Sequence, residues 1–228
     1  MLGTLVNTGA VLFGSAIGIA AGSRLPERVK SILMQALALS VVAIGLRMAL
    51  GAQHNFLAVG CLLLGGVSGE LLRIEQRLEG LAETLRLKLH SESGRFVEGF
   101  VTSTLLYLVG AMAIVGSIQD GTSGDSSLLL IKALLDGVAS IALASSLGFG
   151  VMCSALSVLL VQGGITLLAA HLVFLSEPAV LDAISATGGL LTLGIGINLM
   201  DIKQIHVSNL LPALVYAIIG ALLFPIPT

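Results

Sequence analysis

Lys132 and Asp136 stand four residues apart in the run SLLLIKALLDGVASIALASS, whose other side chains are apolar or small. On a helix that spacing puts both on one face and within pairing reach. A charge at mid-bilayer depth costs about 3 kcal/mol even on permissive insertion scales, so such charges face a protein interior or a wet cavity. Two roles fit the pair. It can be a neutralised ion pair that fixes helix orientation, or a charged site on a pathway for an ion or solute. Lys132 is close enough to the end of the run to snorkel, whereas the shorter Asp136 is not.

Further polar residues could join such a pathway. Asp120 and Asp125 sit among Gly116, Gly121 and Gly124; they read either as a solvated turn or as an acidic vestibule that concentrates cations. Asn7 and Thr8 lie near the start of the first apolar stretch, and Gln162 precedes Gly163 and Gly164. Thr187, Gly188, Gly189 and Thr192 are followed by Gly194, Gly196 and Asn198. Tandem glycines beside amides and hydroxyls suit either a broken helix that lines a site or close packing with interhelical hydrogen bonds. Glu70 reads as a carboxylate at headgroup level near Arg73.

Catalysis finds little support. No histidine is placed with a carboxylate partner at comparable depth, and HExxH, GxSxG and GxxxxGK[ST] patterns are absent, so the chain is expected not to be an enzyme. His54, His90, His171 and His206 stand singly near the ends of apolar segments, without metal-ligand spacing. Cys61 and Cys153 lie in separate apolar runs and read as small core residues. No metal or cofactor is expected. A net charge of −2 and the lack of a basic stripe argue against nucleic acid as a partner.

The elements that must hold these residues are membrane spans. The 228 residues are 56% hydrophobic and 11% charged, with a mean hydropathy of +1.04, and apolar runs of bilayer length recur. The expectation is an all-α, polytopic transmembrane bundle forming a single integral membrane domain over 1–228. Its eight spans fall at about 3–22, 31–50, 56–72, 97–118, 127–147, 149–172, 180–200 and 207–226. The first stretch has no basic n-region and reads as a retained helix. Between the third and fourth spans, 74–90 places Ile74, Leu78, Leu81, Leu85 and Leu89 on one face, as a cytoplasmic amphipathic surface helix or a continuation of the third span.

With the N-terminus outside, alternation puts Arg24, Arg28, Lys30, Arg73, Arg77, Arg86, Lys88, Arg95 and Lys203 in inner loops and Arg47 alone in an outer one. Residues 29–48 align with 180–199 through Val29/Val180, Leu39/Leu190, Ile44/Ile195 and Gly45/Gly196. The match reads either as an inverted repeat or as coincidence between Leu/Gly-rich segments. Gly14, Gly18 and Gly22, like Gly65 and Gly69, have the four-residue spacing that lets helix backbones approach, either within the chain or across a homodimer.

The segments NTGAVLFGSAIG, GGVSGELLRIEQRLEG, GSIQDGTSGD with KALLDG, ASSLGFGV, ATGGLLTLGIG and NLLPAL follow one another along nearly the whole chain. In that order they resemble the YqgA-like bacterial inner-membrane proteins, the domain of unknown function 554. The resemblance implies a bacterial inner-membrane location and brings no substrate or reaction. From the residues, the expected function is that of a transporter or channel-like permease for a small ion or solute. Its pathway would run through Asp136, Lys132, Asp120, Asp125, Gln162, Thr187, Gly188, Gly189, Asn198 and Asn7. The alternative is a membrane scaffold that transports nothing.

The charge asymmetry predicts both termini on the periplasmic side. Phosphatase and fluorescent-protein fusions at the C-terminus should report an outer location; a cytoplasmic C-terminus would overturn the eight-span scheme.

Overall fold

The computed structural model describes residues 1–53, 55–91 and 93–223; His54 and the final part of the eighth expected span lie outside them. Among the described residues every regular element is helical. In order they are α1 (Leu2–Gly22), α2 (Glu27–Gly51), α3 (Asn55–Leu71), α4 (Ile74–Lys88), α5 (Phe96–Leu108), α6 (Ala111–Thr122), α7 (Ser127–Leu147), α8 (Phe149–Leu167), α9 (Pro178–Leu199), α10 (Val207–Leu210) and α11 (Pro212–Leu223). Short 3-10 turns at Ala169–His171 and Val173–Ser176 lead from α8 to α9.

Five helices, α1, α2, α7, α8 and α9, are long and apolar enough to cross a bilayer, and counting each of two bent pairs as one span gives up to seven. The count of eight is not reached by this measure. The fourth expected span is not continuous: α5 and α6 meet at 63°, around Val109 and Gly110. The eighth is a shorter apolar helix over Val207–Leu223. A bend of 57° separates α3 from α4, where Arg73 takes the left-handed backbone with φ 52. Outward faces are apolar, as lipid contact requires: Phe13, Phe56, Leu134 and Leu167 are all strongly exposed.

By internal contacts the chain divides into two compact units, Met1–Leu37 with Glu79–Leu108 and Met112–Leu172, and Ala38–Leu78 with Val109–Ala111 and Val173–Thr228. In the first unit α1 lies along α7. A Cβ on Gly14 would strike the Gly137 carbonyl oxygen, one on Gly18 that of Ile141, and one on Gly22 would lie 2.5 Å from that of Ser145. The three steps of four residues match on both helices, so α1 and α7 run parallel with their backbones in contact. This is the use within one chain of small residues four apart. α7 fills the face carrying Gly14, Gly18 and Gly22, so those glycines are not left open for a homodimer contact. Gly148, with φ 76, turns the chain from α7 into α8, a conformation that a side chain would strain.

The amphipathic segment is helical as expected, and Ile74, Leu78 and Leu85 of its apolar face are partly buried. Ala82 is fully buried against Phe96 and Phe100, with Leu85 beside it, whereas Leu81 and Leu89 are exposed. Ala82 is covered by the large side chains of Phe96 and Phe100.

In the second unit α9 is continuous, so the tandem glycines do not break it. They serve close packing instead: a Cβ on Gly188 would lie 2.6 Å from the Val109 carbonyl oxygen, and one on Gly189 2.5 Å from the Ala49 nitrogen. Gly45 packs against Gly189 and Leu193, and Gly196 against Val42, so the two segments that align in sequence run antiparallel in contact. Gly65 and Gly69 meet Ala213 and Asn209, and α3 and α11 are also antiparallel.

Gly14→Leu should lower stability by about 1–3 kcal/mol or more, because the helices must separate. Gly9→Ala, at a glycine of the same helix with no neighbour within 4 Å, should be neutral or stabilise by up to about 1 kcal/mol. Thermal unfolding in detergent reads both; equal losses would show that the contact with α7 is not what makes Gly14 necessary.

Candidate functional site

The site grows from α7. Four residues apart on that helix, Lys132 Nζ donates to both carboxylate oxygens of Asp136, at 2.8 and 2.6 Å. Both side chains are buried, at 6% and 7% exposure, inside the first unit. Because α1 lies against α7, Asn7 reaches the same carboxylate: its Nδ2 donates to Asp136 Oδ2 at 3.0 Å and to Gln162 Oε1 of α8 at 3.1 Å. Four side chains from three helices thus form one buried cluster, and the sequence had singled out all four.

The hydrogen-bond roles are fixed by chemistry. An ionised carboxylate only accepts, so the atom of Asn7 facing Asp136 must be the amide nitrogen, and the oxygen of Gln162 must then face that nitrogen. Asn7 Oδ1 and Gln162 Nε2 remain, and both are buried with no partner among the described residues. An unmade hydrogen bond at a buried polar atom costs about 1–3 kcal/mol. The cluster therefore holds an unused acceptor and an unused donor beside a neutralised pair of charges.

A polar row extends from it in both directions. Thr4, one turn before Asn7, shares a hydroxyl–hydroxyl bond of 3.1 Å with Thr166, which donates to the Gln162 carbonyl at 2.8 Å. The Thr4 backbone nitrogen lies 3.4 Å from Asp120 Oδ2. In the other direction Ser140 donates to the Asp136 carbonyl at 2.7 Å and bonds the hydroxyl of the fully buried Tyr107 at 2.7 Å. The sequence reading missed Thr4, Thr166, Ser140 and Tyr107. The first three repeat helical spacing from residues already chosen, at 4/7, 162/166 and 136/140, and could have been found; nothing in the sequence marked Tyr107.

Asp120 is not in a solvated turn. It belongs to α6, is 4% exposed, and its Oδ2 lies 2.9 Å from the amino group of Met1. Asp125 is exposed, and the Ser127 hydroxyl and backbone N–H hold its carboxyl below the usual range; it stands at the start of α7, where a carboxylate favours the helix dipole.

The remaining expected residues belong to the second unit and do not join this cluster. Thr187 Oγ1 is buried with no partner among the described residues, and Thr192 donates to the Gly188 carbonyl. Asn198 donates to the Ile205 carbonyl and accepts from its N–H, both at 2.8 Å, closing the loop after α9. The Glu70 carboxylate accepts from Asn209 Nδ2 at 2.7 Å, and the Asn209 oxygen takes the Glu75 N–H at 2.8 Å.

Residues 2–222 match the model of the family "Protein of unknown function (DUF554)". The chain belongs to this family. A protein of Bacillus subtilis (strain 168) described as "Uncharacterized membrane protein YdfK" is 31% identical over 218 residues, which is 94% of this chain and 93% of that protein. "Uncharacterized protein YqgA" of Escherichia coli (strain K12) is 30% identical over 222 residues, 95% of this chain and 94% of that protein. No solved structure matches. As in the sequence reading, this DUF554 chain is an all-helical membrane protein.

Lys132→Ala, which strands the Asp136 carboxylate, should cost about 3–5 kcal/mol, while replacing both partners by apolar residues of like size should recover most of that loss. Asp136→Asn keeps the shape of the cluster and should cost less than Lys132→Ala. Thermal melts of the three variants decide; equal losses would mean the two charges are not coupled.

Proposed function

We propose that this DUF554 protein moves a small ion or polar solute across a bacterial inner membrane, through the cluster formed by Asn7, Lys132, Asp136 and Gln162. The observation that carries the proposal is the buried acceptor and donor, Asn7 Oδ1 and Gln162 Nε2, left without partners beside the ion pair. A site for a passing ligand needs groups of this kind: positioned, desolvated and unfilled. The deep burial of Lys132 and Asp136 suits a closed state of a carrier better than an open pore. Such a carrier needs no reaction chemistry, and the chain is taken as a non-enzyme.

The parallel course of α1 and α7 is the one alternation gives the first and fifth spans, and α2 with α9 and α3 with α11 run oppositely, as spans two and seven and three and eight should. These directions support the alternation of spans, while the periplasmic side of the termini is read from the lysine and arginine count alone. One observation favours the rival reading, a scaffold that moves nothing: both Asp136 oxygens are already held by Lys132. In that case the cluster would serve only to lock α1, α7 and α8 together.

The two readings part on the purified protein. A thermal-shift panel of monovalent cations, amino acids, small carboxylates and amines should yield a stabilising compound, since a ligand that binds only the folded state raises its apparent stability. In proteoliposomes, uptake of that compound should fall at least about tenfold in Asp136→Asn, an effect worth about 1.4 kcal/mol, with folding kept. Unchanged uptake in Asp136→Asn, with stability lost there and in Lys132→Ala, would make the cluster structural.

A further inference from the structure

The first unit carries a second polar feature, away from the cluster. Where α1 and α7 end, a cleft of about 380 Å³ opens between the turn after α1, the start of α2, the approach to α5 and the α7–α8 turn. Two cations, Lys30 and Arg95, are among the described residues that line it, each paired with a glutamate of its own segment. Ser23, Ser93, Ser145 and Ser146 add hydroxyls. Ile19 and Leu147 give it apolar wall.

Each cation meets a glutamate near it in the chain. Lys30 Nζ pairs at 2.7 Å with Glu27, whose side chain is 87% exposed, and most of the lysine itself is covered. Arg95 Nε and Nη2 contact Glu98, itself half exposed, at 3.1 and 3.2 Å, while Nη1 lies 3.5 Å from the Ser146 carbonyl oxygen. An ion pair with a partner as exposed as Glu27 contributes little, so a stronger anion exchanges for that glutamate at small cost. Ser146 is one of the lining residues, and its buried Oγ has no partner among the described residues.

We propose that this cleft binds a phosphate group, with Lys30 and Arg95 supplying the charge and Ser146 a hydroxyl donor. A phosphate has the oxygens to meet a lysine, an arginine fork and a hydroxyl at once, which a single carboxylate does not. The cleft sits where apolar helices end and where lysine and arginine concentrate in the sequence, at the depth of lipid headgroups. The phosphate can therefore belong to an anionic phospholipid or to a soluble compound; the chemistry of recognition is shared. This inference does not rest on the transport reading, because it uses none of Asn7, Lys132, Asp136 or Gln162.

The test uses the full chain in detergent, with thermal stability followed while dioctanoyl phosphatidylglycerol or sodium phosphate is titrated at constant ionic strength. At least one probe should stabilise the protein saturably. Its half-saturating concentration should rise about tenfold in Lys30→Gln and in Arg95→Gln, the loss of one charge-assisted bond, and stay unchanged in Lys203→Gln, an exposed lysine of the second unit. A response to the lipid alone assigns a headgroup; a response to inorganic phosphate assigns a soluble ligand. Should Arg95→Gln fail to fold, Lys30→Gln carries the comparison. No saturable effect of either probe, or Lys30→Gln responding as Lys203→Gln does, overturns the proposal.

Discussion

A charge in an apolar interior must be matched, and the first unit is arranged around that demand. Asp136 is matched by Lys132 on its own helix, but an i,i+4 pair leaves a carboxylate with further lone pairs to satisfy. Asn7 answers from α1, and to do so α1 must approach α7 until their backbones touch. That approach in turn requires Gly14, Gly18 and Gly22 on one helix and small residues opposite them on the other. The amide of Asn7 then dictates the orientation of Gln162, which ties α8 to the same point. One electrostatic requirement thus sets which helices adjoin, how closely and in which register.

The second unit contrasts with this. Its tight contacts, Gly45 with Gly189, Gly188 with Val109 and Gly65 with Ala213, join backbones with little charge nearby. Packing there is sustained by van der Waals contact between small residues, as expected where lipid tails remove any hydrophobic gain from helix association. Its polar groups sit at the margins, in the Asn198–Ile205 loop closure and the Glu70–Asn209–Glu75 cluster. Thr187 Oγ1 and Ser176 Oγ are buried in this unit with no partner among the described residues.

Much of this was legible in the sequence where one residue type has one physical meaning. A lysine and an aspartate inside an apolar run must be paired, and the helix from Ser127 to Leu147 has the boundaries that hydropathy gave it. Glycines four apart mark close contact, and that held for Gly14, Gly18 and Gly22. Hydropathy could not see the break at Val109 and Gly110, because a bend that keeps its apolar character leaves the average unchanged. It also misread Gly188 and Gly189: glycine permits both a broken helix and a crowded one, and only the neighbour decides. Asp120 looked solvated because its flanking glycines suit a turn, yet they let α6 crowd against its neighbours; a Cβ on Gly121 would meet the Thr166 carbonyl oxygen.

The meeting of α1 with α7 and α8 also sets an order in time. Asn7 and Thr4 emerge from the ribosome with the first helix, but Asp136 does not exist until synthesis is well into α7, and Gln162 and Thr166 come later still. Until α7 has been made the side chain of Asn7 has neither of its eventual partners, and the glycine track beside it has nothing to close upon. During biogenesis α1 must therefore wait, shielded by water at the membrane surface or by the insertion machinery, until the chain has been synthesised through α8. The final assembly of the first unit is a late, long-range event.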